Sequence, residues 1–111
     1  MSLWFSRIFA GSKGREKVIA IFDSGAAYSC IKREIAEKLG ILELLSEPLE
    51  LVTAKEGEKL IAKEHGTFDF YLNGYRFSDE FIIIPELSGE VIIGAKTLQR
   101  GDWNLILKMM K

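Results

Sequence analysis

Apolar and polar positions along this chain alternate or cluster with the periods of strands far more often than of helices. Trp4 to Phe9 and Lys17 to Phe22 are apolar segments on either side of "GSKGREK", whose glycines and charges predict a hairpin loop between two antiparallel strands. In "CIKREIAEKLGI", Ile31, Ile35 and Leu39 recur at helical spacing, which predicts a short amphipathic helix with Gly40 as a left-handed cap. The stretch "LELVTAKEGEKLIA" has two apolar arms around a charged tip at Lys55, Glu56, Gly57 and Glu58, the pattern of a projecting hairpin. In "GTFDFYLNG", Phe68, Phe70 and Leu72 alternate with polar neighbours up to Asn73-Gly74, a strong tight-turn pair, and "YRFSDEFIIIP" returns as the next strand. Val91 to Ile93 reads as a buried strand ended by Gly94. Ala95 to Arg100 follows as a short helix stopped by Gly101, and "WNLIL" as a closing strand. No repeat, low-complexity stretch or linker interrupts the pattern, so residues 1–111 are expected to form one domain.

Composition narrows the partners. The 111 residues are 48% hydrophobic, enough for a single core but not a generous one. Fifteen basic residues nearly cancel sixteen acidic ones, giving a net charge of −1, and no Lys/Arg block exceeds two residues. Neither nucleic acid nor an anionic membrane is therefore an expected partner. Cys30 is the sole cysteine, so there is no disulfide framework and no CxxC pair; a reducing, cytoplasmic setting is the expectation. The opening "MSLWFSRIFAGS" has no basic residue ahead of its apolar core and reads as a strand, not a signal peptide. No apolar run approaches the roughly 20 residues of a membrane span.

Most standard chemistries find no support. The sequence has neither GxxxxGK[ST] nor GxGxxG, and its single histidine, His65, excludes zinc sites built on two. Nothing places His65 beside Cys30 or a serine, so a solvated histidine is the plainer reading. Asp23 ends an apolar strand, as a phosphate-accepting aspartate does, but Gly25 occupies the place where such sites carry a second acid.

What remains is Asp23-Ser24-Gly25 after "VIAIF" and the glycine-ended "VIIG" downstream. With "IFDSGA" at 21–26, "VTAKEGEKLIA" at 52–62 and "VIIGAKTL" at 91–98, nearly the whole chain resembles the retropepsin-like aspartic proteases, single-lobe relatives of pepsin. "LW" at 3 and 4 also resembles the retroviral N-terminal start. The resemblance implies an all-β, closed barrel equivalent to one pepsin-type lobe, with a flap hairpin and one or two short helices. It implies a homodimeric endopeptidase acting on extended peptides or proteins, without metal or cofactor. Asp23, Ser24 and Gly25 would form the catalytic motif, and Ala26, Ala27, Tyr28, Cys30, Thr53, Ala54 and Ile92 the substrate-pocket walls. A core role for Cys30 and Ile92 is the plain alternative, and a catalytically silent peptide-binding module on the same scaffold is the alternative function.

The chemistry fits the resemblance. Acid/base hydrolysis of a peptide needs two carboxylates close enough to share a proton. One chain supplies one such aspartate and is too short for two lobes, so a second copy must supply the other. Gly25 lets the backbone pass close to substrate, and the Ser24 hydroxyl is suited to bond the partner's backbone. Asp23 is expected to be buried, where bulk water is excluded. Two departures point to the cellular and transposon-type branch. Ala27 and Ala95 stand where retroviral enzymes pair an acid with an arginine, and the flap tip carries one glycine. Any dimer brace must then come from elsewhere.

Overall fold

The computed structural model of the protein describes residues 2–23, 25–52, 59–72, 74–87 and 89–100. The first hairpin pairs β1 (Ser2–Gly11) with β2 (Gly14–Asp23), in register from Ser2↔Asp23 to Gly11↔Gly14. Only Ser12 and Lys13 make the turn, which is tighter than the seven-residue loop its composition suggests. Arg15 and Lys17 are strand residues on an exposed face, where charge costs little, and the Arg15 guanidinium lies 5.6 Å from the centre of the Tyr71 ring.

After β3 (Cys30–Lys32) the chain enters α1 (Arg33–Leu39), which buries Ile35, Ala36 and Leu39 as the spacing predicts. Gly40 is not a left-handed cap: its φ of −174° is extended backbone. The helix end is satisfied another way, because Lys13 N–H in the hairpin turn donates to Leu39 O at 2.8 Å. Gly40 serves close packing instead, since a Cβ there would sit 3.3 Å from Phe68 Cε1.

The projecting hairpin has arms β4 (Glu43–Val52) and β5 (Lys59–Leu72), paired from Leu49↔Ala62 to Val52↔Lys59; its tip, 53–58, lies outside the described residues. The register shifts between Leu44 and Leu49, a bulge that includes Pro48 on what is otherwise a sheet edge. β5 runs unbroken for 14 residues, so the hairpin arm that the sequence ends at Ala62 and the alternating segment that begins at Gly66 are one strand. The ring of Phe68 covers that glycine so closely that a Cβ would fall 2.7 Å from Phe68 Cζ. β5 is followed by β6 (Tyr75–Ile84), paired with it up to Leu72↔Tyr75, with Gly74 at φ +82°. β7 (Val91–Ile93) and α2 (Ala95–Arg100) have the bounds the sequence predicts. The expected stop at Gly101 and the strand "WNLIL" lie outside the described residues.

The strands follow the order β1-β2-β7-β3-β6-β5-β4, and pairing of β1 with β5 at Phe9↔Phe70 closes the first six into a barrel. The architecture is the expected all-β closed barrel, with two short helices among the described residues. Phe9, Phe22, Phe68, Phe70 and Phe81 fill the interior as a network of stacked and edge-on rings. A second cluster of Cys30, Ala62, Ile82, Ile84 and Leu87 lies on the opposite face of β6, with leucines of β4 and β5 packed on it. No helix among the described residues is long and apolar enough to cross a membrane.

Candidate active site

Alternation along β2 decides where its terminal carboxylate goes. Val18, Ala20 and Phe22 point into the barrel, so Asp23 falls on the other face with Ile19 and Ile21. It is half-buried in the single chain, not fully buried as the sequence suggests. β2 is held there on both sides, by β1 through Ser2↔Asp23 and by the parallel strand β7 through Phe22↔Ile93.

The chain then turns sharply, with Ala26 N–H donating to Asp23 O at 3.1 Å. Gly25 N–H donates to Asp23 Oδ1 at 2.9 Å, a bond that fixes the carboxylate's orientation. A Cβ on Gly25 would lie 3.2 Å from that oxygen, so glycine keeps the flank of the carboxylate clear. The loop of residues 25–29 is seated on the segment after β7. Ala95 N–H donates to Ala26 O at 2.6 Å, and a Cβ on Gly94 would collide with Tyr28 O at 2.5 Å. Glycine ends β7 because the two backbones touch there. Backbone contact thus joins the two segments at Ala26 and Tyr28, on either side of Ala27, and at Gly94 and Ala95.

Of the expected pocket residues, the structure brings Tyr28, Cys30 and Ile92 together. Cys30 pairs with Ile92 across β3 and β7, and Tyr28 and Ile92 pack on the cluster that contains Cys30. Burial pushes the Cys30 thiol up to about 11, which suits an apolar wall and not a nucleophile. Ala26 is half-buried and Ala27 exposed on the loop, while Ser24, Thr53 and Ala54 lie outside the described residues. A recess of about 260 Å³ opens beside Tyr28, Ile82, Lys96 and Thr97, with Lys96 Nζ 4.5 Å from the centre of the Tyr28 ring. Asp23 lines neither this recess nor a second one beside Lys59, Ile84 and Pro85.

His65 is remote from the other candidates. It and Cys30 flank Ile82 from β5 and β3, two strand spacings or about 10 Å apart. Its Nδ1 lies 2.5 Å from Glu80 Oε2, so no thiol–imidazole pair forms. Among the described residues no three His, Cys, Asp or Glu side chains are grouped to hold a metal ion.

Three residues of this region escape sequence reading. Ser29 Oγ accepts from Gly94 N–H and lies 2.6 Å from Thr97 Oγ1. Glu90 Oε1 accepts from Ile19 N–H at 2.7 Å, and Glu90 O from Lys32 N–H at 2.9 Å, so this residue ties β2 to β3 just before β7 begins. The only local signal is a polar residue beside a strand too short to hold itself in place.

No family model and no curated protein matches the sequence. Among solved structures, the chain is similar to the crystal structure of the retroviral protease-like domain of Ddi1 from Leishmania major. The TM-score is 0.62 at 21% identity, over 87% of this chain and 76% of that one. With a six-stranded barrel, a strand inserted between β2 and β3, and Asp23 at the end of β2, the fold of this chain is retropepsin-like.

Proposed function

We propose that the protein is a homodimeric aspartic endopeptidase in which Asp23 of each copy supplies one carboxylate of the catalytic pair. The observation that carries this reading is the carboxylate's setting. Asp23 ends a strand clamped on both sides and is oriented by Gly25 N–H, yet it lies half-buried on the outer face of that strand, where a second copy can meet it. Two such groups brought together share one proton. The ionised one takes a proton from water, whose oxygen bonds to the scissile carbonyl carbon, while the protonated one gives its proton to the carbonyl oxygen. The tetrahedral intermediate then collapses, the C–N bond breaks, and the amine leaves with a proton. The paired arms of β4 and β5 would lie over an extended peptide and add main-chain bonds to it.

Cleavage of a peptide library by the wild type and by Asp23→Asn, with a pepstatin-type inhibitor as control, tests the reading. Cleavage should vanish in Asp23→Asn and under inhibitor, and specific activity should rise with protein concentration until the dimer saturates. Peptides bound but never cut would identify a binding module. A fully active monomer in sedimentation would overturn the shared site.

A further inference from the structure

Ser29 and Thr97, 4% and 6% exposed, are the buried polar side chains among the described residues, and they meet each other across 68 positions of sequence. Their oxygens are 2.6 Å apart, and Ser29 Oγ also accepts from Gly94 N–H at 2.9 Å. Burial alone does not favour this arrangement, because two apolar side chains of the same shape would fill the space without needing to be hydrogen-bonded. What the pair does is local. Ser29 closes the loop that starts at Asp23, its carbonyl accepts from Ile82 N–H of β6, and Thr97 sits in the first turn of α2. The same two segments are joined by Ala95 N–H to Ala26 O, one residue beyond Gly25, whose N–H holds Asp23 Oδ1.

We propose that Ser29 and Thr97 are positioning residues for Asp23. Their hydroxyl pair locks α2 against the loop of residues 25–29, and through that loop fixes the Gly25 N–H that aims the carboxylate. The role of this aim in catalysis rests on the reading of Asp23 as an acid/base group; the positioning itself does not.

The experiment compares wild type, Thr97→Val, which keeps the side-chain shape but loses the hydroxyl, and Thr97→Ser, which keeps the hydroxyl. Each is followed by amide NMR and by peptide cleavage. In Thr97→Val the Gly25 amide signal should move and the Gly94 and Ala95 amides should exchange faster, while the Phe70 and Phe81 amides of the barrel stay as they were. The kcat should fall about 10- to 100-fold with KM within about threefold, and Thr97→Ser should restore both. An unmoved Gly25 signal in Thr97→Val would overturn the proposal, as would Phe70 and Phe81 amides that loosen along with it. A wild type that cleaves nothing would remove the protease reading, and the Gly25 signal would still decide the positioning. Should Thr97→Val fail to fold, Ser29→Ala carries the same expectations and the same outcomes.

Discussion

Strand β6 sends Phe81 and Ile83 into the barrel and Ile82 and Ile84 to the opposite face, so two apolar clusters can be compared across one backbone. The first is the larger, built around aromatic rings, with Phe9, Phe22, Phe70 and Phe81 fully covered, Ile35 at 9% its most exposed buried member, and Phe5, Leu42 and Phe77 as a partly buried fringe. The second is aliphatic and open at its rim. Cys30 and Leu87 are each 8% exposed, and Tyr28, Leu60 and Ile92 are only partly buried. An apolar run on both faces of a strand therefore carries two meanings here: one face closes a barrel, and the other leaves a wall that something else can complete.

The comparison breaks if the two clusters respond alike to truncation. Phe70→Ala removes a ring that stacks on Phe9 and Phe77 and should cost about 4 to 5 kcal/mol in urea unfolding. Ile84→Ala, in the second cluster, should cost about 2 to 3 kcal/mol: Ile84 is itself buried, but partly buried members of its cluster such as Leu60 and Ile92 can relax towards the space it leaves. Equal losses would erase the distinction.

A smaller effect sharpens it. Burial raises the Cys30 thiol from 9.0 to about 11, so between those values the unfolded chain has released a proton that the folded chain still holds. Stability from this group is therefore complete below pH 9 and is lost as pH rises towards 11. At pH 10 the wild type should have lost about 1 kcal/mol relative to its value at pH 8, over and above any change in Cys30→Val. Matching pH profiles for the two proteins would mean that the thiol ionises freely and that the second cluster is wetter than the geometry implies.

Sequence reading succeeds where the cause is local. Asn73-Gly74 marks a turn because only a residue free to take positive φ fits there, and Gly74 does so. Gly94 marks the end of β7, although the reason, contact with the carbonyl of Tyr28, comes from residues far away in the chain. Reading fails where a distant group replaces a local signal. Gly40 looks like a helix cap, but Lys13 supplies the missing donor; the segments on either side of residues 63–65 look like two strands, but β5 runs through them with Phe68 covering Gly66. Asp23 and its turn are legible as a motif. Ser29, Thr97 and Glu90 are not, because each is an ordinary polar residue until the fold supplies its partner.

The insertion of β7 between β2 and β3 also has a temporal consequence. The hairpins β1–β2, β4–β5 and β5–β6 join near neighbours and can form within microseconds. β7 must instead find a slot whose entrance is tied by Glu90 to Ile19, 71 positions earlier, and a loop of that size is slow to close. A refolding or newly synthesised chain should thus assemble its hairpins early and its barrel late. The loop after Asp23 then has no seat until residues 91–95 arrive, so the chain becomes a folded barrel and acquires a fixed carboxylate in the same, final event.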